Sequence, residues 1–592
     1  MDGVRRGAAC CARQGAEGKA FGGWRTLLAL YLAATLVRAA TALFIRQPGF
    51  TDSFYYFNIA SNLYAGRGFV EDFVWNYLEA PPGVTHPSNT YWGPLASLLL
   101  LPSFWLFGPS FRAAQVPMVL LSGALPVLSY LTARDLLGSH RQALIAAVLT
   151  ILSGVYLVYW TVPEGYVPFA VAGAVALLAM ARALGGANAL SPLRSAQGRL
   201  FPAREGGDRV GRGAACCAPT EGGRGRHTGY WKTAAAGSWG WSALAGAAIG
   251  LAQLARSDGI LLLAVLLALW GHVIWRRPAG ASWTGLAVHP LAACVAYALT
   301  MAPWLYRNWL ELGSPLFNPG LKTLFLRDYD EVFTVGGQID LGYYLAWGWG
   351  SIIIAKLQAA VQNLHVVAKA LSYYLVPLTA VGLWGMLRAR GAQPFVLYGI
   401  ALYGMMTLAF TLPGQLGSLL HSLAALLPFL MAATALGLDS AVRALVQRRP
   451  HLDPVVAQRL CTVVLVLAQA TLTLGLGAFA VREWESRYSY ALYPAAIAWL
   501  GHHLAAREPV MILDPAAYAY FSGRPAIAVP NNDPATVLEV ARRYGVRFIL
   551  LEPAHMQPVD QLYHGKETDP ALALRLVLEN ERGQELKIYE LD

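Results

Sequence analysis

Charged residues are scarce in this sequence. Asp, Glu, Lys and Arg make up 13% of its 592 residues, whereas soluble domains carry about 25%. This scarcity excludes a chain that is dissolved in water over most of its length. The carboxy-terminal part also lacks a glycine-rich phosphate-binding loop, so a nucleotide site of that type is not indicated there.

Cysteine is scarce as well, and its arrangement does not fit a metal site. Four of the six cysteines form the adjacent pairs Cys10-Cys11 and Cys216-Cys217, inside a short segment that occurs twice. Adjacent cysteines have poor geometry for a shared tetrahedral zinc ion, and no histidine stands at zinc-finger spacing. The favoured interpretation is a duplicated low-complexity segment, with zinc binding as the weaker alternative.

Apolar residues are what the sequence has in excess. They make up 56% of the chain, and the mean hydropathy is +0.43. Runs of about 20 apolar residues, each long enough to cross a membrane, recur along most of the length. Because backbone polar groups cannot stay unpaired in lipid, these runs are predicted to be helices. Eleven spans are expected, at residues 24–45, 112–133, 141–159, 165–183, 241–255, 259–275, 283–303, 371–388, 394–412, 420–438 and 457–479.

The net charge of +11 comes from basic residues that cluster between the apolar runs. This pattern is typical of the cytoplasmic loops of a membrane protein, not of a nucleic-acid-binding surface. It predicts a multi-pass protein of the plasma membrane with a cytoplasmic amino terminus and an extracytoplasmic carboxy terminus. The scheme requires that the apolar stretch 90–107 lies on the outer surface and does not cross the membrane.

The same scheme predicts the organisation of the chain. The expected segments are a cytoplasmic tail (1–23), a transmembrane domain (24–480) and an extracytoplasmic domain (481–592). Within the transmembrane domain, we expect a first outer loop (46–111), a disordered cytoplasmic loop (184–240) and an outer loop with an amphipathic helix (304–370). In the last segment, short runs alternate between strand-like and helical patterns, with Asp533 expected to cap a helix at 534–544. A closing hairpin is expected around Gly583. This predicts a small α/β domain.

The first outer loop contains the residues that most directly indicate chemistry. Asp52 stands where the chain leaves the membrane and opens an amphipathic helix, Asp72 follows further along, and His86 precedes a proline. Each also has an ordinary structural interpretation. Asp52 can be a helix N-cap, Asp72 a solvated loop acid and His86 a turn residue.

Further ionisable residues lie at the outer ends of other predicted spans. These are Glu164, Arg256, Asp258, Arg307 and His421. Basic side chains at span ends often only snorkel to the interface, but ionisable groups that face a common cavity are functional candidates. Arginine binds phosphate, aspartate can act as a general base, and grooves between apolar helices suit a lipid tail. The combination fits displacement of a lipid phosphate from a sugar carbon by an acceptor hydroxyl.

The sequence resembles the GT-C glycosyltransferase superfamily over about residues 24–480. The resemblance lies in the segments Asp52–Tyr56, Gly66–Phe69, Pro87–Pro94, Gly250–Gly259, Ala302–Asn308 and Gly417–Ser422. Within that superfamily the sequence is similar to bacterial family-39-like enzymes, akin to protein O-mannosyltransferases and lipid A aminoarabinose transferases. It implies a polyprenyl-phosphate-linked sugar donor, a lipid, glycan or protein acceptor, and inversion at the sugar carbon.

The resemblance also implies roles for individual residues. Asp52 falls on the catalytic acid of the family's first loop and would be the general base, and Asp72 falls near a second acid. The residues expected to bind substrate are Arg256 and Arg307 on the phosphate, together with Asp258, His421, Glu164, His86 and Tyr55. Many relatives carry an acidic pair where this chain has Asp52-Ser53. We therefore expect no metal cofactor, with a divalent ion as the less favoured alternative.

Two other functions compete with this interpretation. A multi-span transporter or flippase of a lipid-linked or small polar substrate would also place charges within a helical bundle. An inactive scaffold of the same fold is the third possibility. The sequence shows no inverted repeat, and its acid-bearing first loop and large outer domain favour the enzyme.

Overall fold

The computed structural model describes residues 23–79, 81–185, 239–276, 282–387, 389–484, 490–566 and 569–591. The predicted cytoplasmic tail and almost all of the predicted loop at 184–240, including the paired cysteines, lie outside the described residues. Their predicted disorder and location stay predictions.

Most of the described chain is helical, as the apolar runs predicted. The longer helices are Gly23–Phe44, Thr51–Tyr64, Leu95–Phe107, Phe111–Ser122, Ala124–Leu137, His140–Ile151, Tyr166–Gly185, Trp239–Ala255, Ile260–Arg276, Trp283–Leu312, Trp349–Ala370, Val376–Met386, Gln393–Gly404, Leu427–Arg448 and Pro454–Trp484. The helix Leu95–Phe107 has only 13 residues. It is too short to span a bilayer core of about 30 Å.

The number of membrane spans differs from a simple count of apolar runs. Within the described residues, nine helices are long and apolar enough to cross a membrane. Three of the predicted spans correspond to shorter helices, His140–Ile151, Trp239–Ala255 and Val376–Met386. Conversely, Trp349–Ala370, which was predicted to belong to an outer loop, is one of the nine candidates. The number of eleven therefore stays a prediction.

The helix Trp349–Ala370 packs along the segment that precedes the site residue His421. The Asn363 amide donates a hydrogen bond to the Met406 carbonyl at 3.1 Å, and Lys356 donates to the hydroxyl of Thr411. The chain then breaks at Ser372 and Tyr373, which have positive φ angles, before the next helix begins. This break explains why the apolar run that starts near 371 forms only a short helix.

The carboxy-terminal region forms the predicted α/β arrangement. Its strands are β4 (Val510–Ile512), β5 (Ala526–Ala528), β6 (Phe548–Leu551), β7 (Leu572–Glu579) and β8 (Glu585–Leu591), and its helices include Pro515–Ser522 and Pro534–Arg543. Asp533 caps the second of these helices, since its carboxylate accepts the Thr536 amide at 2.8 Å. β7 and β8 form the predicted closing hairpin.

A strand from the first outer loop joins this sheet, which the sequence did not predict. The loop contains β1 (Val70–Glu71), β2 (Phe73–Val74) and β3 (His86–Pro87); β1 pairs with β3, and β2 pairs in parallel with β5. The six-stranded order is β2-β5-β4-β6-β8-β7. Because one sheet holds strands from both segments, the first loop and the carboxy-terminal domain lie on the same side of the membrane.

Candidate active site

The helix Thr51–Tyr64, called the site helix below, carries Asp52 in its first turn. Its N-cap position is Phe50, and no side chain caps the helix there. The interpretation of Asp52 as an N-cap is therefore wrong. The carboxylate instead points to residues from distant parts of the chain.

Glu164 and His421 meet Asp52 at this point. One potential ligand atom from each of the three residues lies within 4.8 Å of the others. Glu164 is almost completely buried, and its Oε2 accepts the Tyr166 amide at 2.6 Å, where the helix Tyr166–Gly185 begins. That hydrogen bond orients the other carboxylate oxygen towards His421.

The hydrogen bonds of His421 define which nitrogen carries its proton. Nδ1 lies 2.8 Å from the carbonyl oxygen of Gly417, and Nε2 lies 2.8 Å from Glu164 Oε1. A carbonyl oxygen can only accept, so Nδ1 donates, and Nε2 faces the carboxylates with either a second proton or a free lone pair. The ring also stacks on Tyr166, with centroids 3.5 Å apart. Gly417 has a φ angle of 137°, and this kink allows its carbonyl to face the imidazole.

Arg256 and Asp258 form the next layer of the site. Arg256 Nε lies 3.2 Å from Asp258 Oδ1, and the hydroxyl of Ser422 donates to the other oxygen of Asp258. The Arg256 side chain is only 14% exposed, so it does not snorkel to the membrane surface. Ser422 follows His421 directly, and the sequence analysis did not identify it.

The surroundings of Asp52 change its acidity. Burial raises the pKa of the Asp52 carboxyl, the nearby Glu164 raises it further, and His421 and Arg256 partly offset this, which leaves the pKa at about 7. An ordinary aspartate titrates near 3.9. Asp52 therefore exchanges its proton near neutral pH, as a general base requires.

Aromatic residues line the space around Asp52. Tyr56 follows it on the site helix, and Tyr91 and Tyr329 lie within electrostatic reach of its carboxylate. Behind them, Trp75 and Trp92 stack face to face with centroids 4.2 Å apart. Trp75 also packs edge-on against Tyr91, so these side chains form an aromatic wall on one side of the site.

Three of the predicted substrate-binding residues lie in a different cluster. The Tyr55 hydroxyl accepts the Asn89 amide at 2.7 Å, and His86 Nε2 lies 2.7 Å from Glu71 Oε1. Arg307 donates to the Phe69 carbonyl at 3.1 Å, and its guanidinium lies over Trp304. The structure therefore groups Tyr55, His86 and Arg307 around the first loop, apart from the contacts of Asp52.

Asp72 also lies outside the Asp52 cluster. Its carboxylate pairs with Arg67 at 2.6 and 2.7 Å and accepts the Thr85 hydroxyl at 2.9 Å. Although burial raises the pKa of Asp72, these hydrogen bonds outweigh it and lower the pKa. The neighbouring Glu71 is the buried acid of this loop. Strand residues alternate between two faces, and this alternation is the signal that could have distinguished Glu71 from Asp72.

The three residues Asp52, Glu164 and His421 fit a divalent cation. Carboxylate oxygens with one imidazole nitrogen are common ligands of Mn²⁺ and Zn²⁺. The Nδ1 hydrogen bond to Gly417 is also the outer contact that usually orients a metal-binding histidine. The serine at position 53 predicts no metal, and no local pattern indicates that Glu164 supplies a second acid beside Asp52. The absence of a metal stays a prediction.

Comparisons with known proteins support the fold. No protein-family profile and no curated protein sequence matches the chain. The structure is similar to ArnT from Cupriavidus metallidurans bound to undecaprenyl phosphate, with a TM-score of 0.54 and 15% identity over 96% of this chain and 98% of that one. It is also similar to the archaeal oligosaccharyltransferase AglB from Archaeoglobus fulgidus in complex with an inhibitory peptide and a dolichol-phosphate. That TM-score is 0.52, with 13% identity over 90% of this chain and 70% of AglB. These neighbours confirm the GT-C fold that the sequence motifs predicted.

Proposed function

We propose that this protein is a membrane glycosyltransferase that transfers a sugar from a polyprenyl-phosphate-linked donor to a hydroxyl acceptor on the outer face of the plasma membrane. The observation that carries the proposal is Asp52. It is a carboxylate with a pKa of about 7, held beside Glu164, His421 and Arg256 in a protein of GT-C fold. A carboxylate whose pKa is raised to neutrality among other charged groups is suited to general-base chemistry.

The proposed reaction is a single displacement with inversion. The acceptor oxygen attacks the anomeric carbon of the donor while the bond between that carbon and the phosphate oxygen breaks. The phosphate leaves on its lipid with the electron pair of the broken bond, and Asp52 takes the proton of the acceptor hydroxyl. General-base help of this kind contributes about 10²- to 10⁴-fold in rate.

Arg256 is the proposed contact for the donor phosphate on the Asp52 side. Its guanidinium keeps donors beyond the single Nε contact with Asp258, and a forked guanidinium binds phosphate strongly. Asp258, held by Ser422, orients it. This arrangement would place the leaving phosphate beside a permanent positive charge.

Arg307 stays a second candidate for the phosphate, for a separate reason. An open apolar cavity of about 320 Å³ lies at the end of the same helix and is lined by Leu305, Tyr306, Trp309 and Pro315. An isoprenoid chain suits such a surface, and the ArnT structure contains undecaprenyl phosphate. A lipid tail along this cavity would place its phosphate near the outer end of the helix Trp283–Leu312, which carries Arg307.

If a divalent cation binds, Asp52, Glu164 and His421 would hold it, and the raised pKa of Asp52 and its role as base describe the site without the cation. A cation there would supply positive charge for the leaving phosphate. The roles of Arg256 and of the aromatic wall do not depend on it, since they orient the donor in either case.

The test uses the full-length protein in lipid nanodiscs with a panel of undecaprenyl-phosphate hexoses and pentoses that carry a tritiated sugar. A lipid extract and a Ser/Thr-containing peptide serve as acceptors. The enzyme is expected to move label to an acceptor and release undecaprenyl phosphate. In sealed vesicles, movement of the intact labelled lipid without release would instead indicate a flippase. If the protein neither releases undecaprenyl phosphate from any donor in the panel nor moves the intact lipid, both functions are contradicted.

A further inference from the structure

The carboxy-terminal domain contacts the site helix through one buried carboxylate. Asp514 Oδ2 accepts the Thr51 hydroxyl at 2.9 Å and the Tyr490 hydroxyl at 2.6 Å. Its other oxygen accepts the Ala517 amide at 3.0 Å and so caps the helix Pro515–Ser522. Asp514 is only 6% exposed. One carboxylate thus joins the start of two helices that are more than 450 residues apart in sequence.

The contact extends along the site helix. The Asn58 amide donates to the Ala516 carbonyl at 2.8 Å. Between these hydrogen bonds, Phe54 packs edge-on against Tyr490 with ring centroids 5.2 Å apart and contacts Phe521. The domain therefore holds both ends of a stretch of about two helical turns.

We infer that Asp514 is a positioning residue for the reaction, which makes the carboxy-terminal domain part of the active site's scaffold. Thr51 directly precedes Asp52, and Phe50 at the N-cap position provides no capping side chain. The hydrogen bond from Thr51 to Asp514 therefore ties the first turn to the carboxy-terminal domain. A misplacement of about 1 Å at a reacting group can cost 10²-fold in rate. The inference rests on the proposed function of Asp52.

The domain contains a matched control for this role. Asp533 also stands before a proline and also caps a helix, through the Thr536 amide at 2.8 Å. It is exposed to solvent, unlike Asp514. Asparagine caps a helix about as well as aspartate, so Asp514→Asn and Asp533→Asn both keep their caps. Only Asp514→Asn also changes a contact with the site helix.

The experiment compares Thr51→Val, Asp514→Asn, the double variant and Asp533→Asn in the full-length protein. Thr51→Val keeps the side-chain shape and removes only the hydroxyl. We expect each single variant at the Thr51–Asp514 contact to lower kcat about 10- to 100-fold with the KM for the undecaprenyl-phosphate sugar unchanged. The double variant should be no slower than the slower single variant, because both changes remove the same hydrogen bond from the Thr51 hydroxyl to a carboxylate. Thr51→Ser keeps the hydroxyl and should have the kcat of the wild type. Asp533→Asn should also have the kcat of the wild type.

Hydrogen–deuterium exchange of the peptide 46–58 gives a readout that does not need activity. It should rise in Thr51→Val and Asp514→Asn and stay at the wild-type rate in Asp533→Asn. Wild-type kcat in Thr51→Val, additive losses in the double variant, or equal losses in both Asn variants would overturn the inference. If the wild type transfers no sugar but the exchange result holds, the proposed function fails and the contact's effect on the helix stands.

Discussion

Arg67 and Asp72 form a two-pronged ion pair, with guanidinium nitrogens 2.6 and 2.7 Å from the two carboxylate oxygens. The pair lies at the loop surface, where the Arg67 side chain is 46% exposed. Both carboxylate oxygens therefore accept a charge-assisted hydrogen bond from Arg67, and Asp72 lies apart from the contacts of Asp52.

The first prediction follows from that pairing. Asp72→Asn is expected to leave kcat for sugar transfer within about threefold of the wild type, because exposed ion pairs contribute little and Asp72 contacts Arg67 and Thr85 instead of the Asp52 cluster. Thermal unfolding of the purified variant checks that the loop remains folded. A 100-fold loss of kcat in a folded Asp72→Asn protein would return this residue to the catalytic site.

The second prediction concerns Asp52. Asp52→Asn keeps the shape of the side chain but cannot take up a proton, so kcat is expected to fall by about 10²- to 10⁴-fold. The protein should purify as the wild type does and still bind undecaprenyl phosphate in a pull-down from nanodiscs. Asp72→Asn is the matched control from the same loop. Turnover near the wild-type rate would eliminate Asp52 as the base.

The third prediction is the pH dependence of turnover. Asp52 acts as a base only when ionised, and its raised pKa of about 7 means that the ionised fraction falls as the pH drops through neutrality. The charged groups that act on it are Glu164, His421, Arg256 and Asp514. We expect kcat/KM to fall about tenfold per pH unit below pH 7 and to level off above it. A profile that is flat down to pH 5 would contradict the raised pKa.

The fourth prediction separates the two arginines. If Arg256 binds the donor phosphate, Arg256→Ala removes charge-assisted hydrogen bonds of about 1.5–3 kcal/mol and weakens binding of undecaprenyl phosphate roughly ten- to a hundredfold. Lysine should rescue only part of this affinity, because it lacks the planar fork. The same measurement on Arg307→Ala shows whether the phosphate lies beside the apolar cavity instead. Unchanged affinity in both variants would leave neither arginine as a phosphate contact.

The fifth prediction tests for a metal. If a divalent cation binds at Asp52, Glu164 and His421, the purified protein should contain about one equivalent by mass spectrometry of metals, and His421→Ala should lose it. His86→Ala is the control, since that histidine pairs with Glu71 in the other cluster. Chelation that removes no metal and changes no activity would support the expectation from the sequence that none is needed.

Much of the site could be predicted because each of its parts has a local signal. Asp52, Glu164, Arg256 and His421 all lie at the outer ends of apolar runs, where charge is costly unless it has a partner. The structure brings these four together. The sequence does not show which way a side chain points, and this decides which residues meet. Tyr55 and Tyr56 are adjacent on one helix, yet Tyr55 contacts the Glu71 cluster and Tyr56 lies near Asp52.

The sequence by itself determined that this is a helical membrane protein with ionisable residues at one set of span ends, because hydrophobic length and charge placement act locally along the chain. Only the tertiary structure decided which of those residues meet. His421 and Glu164 are 257 residues apart, β2 adds to a sheet made by the far end of the chain, and Asp514 reaches Thr51. Such pairings depend on how helices and strands pack and rotate against one another. No local pattern of residue types encodes that packing.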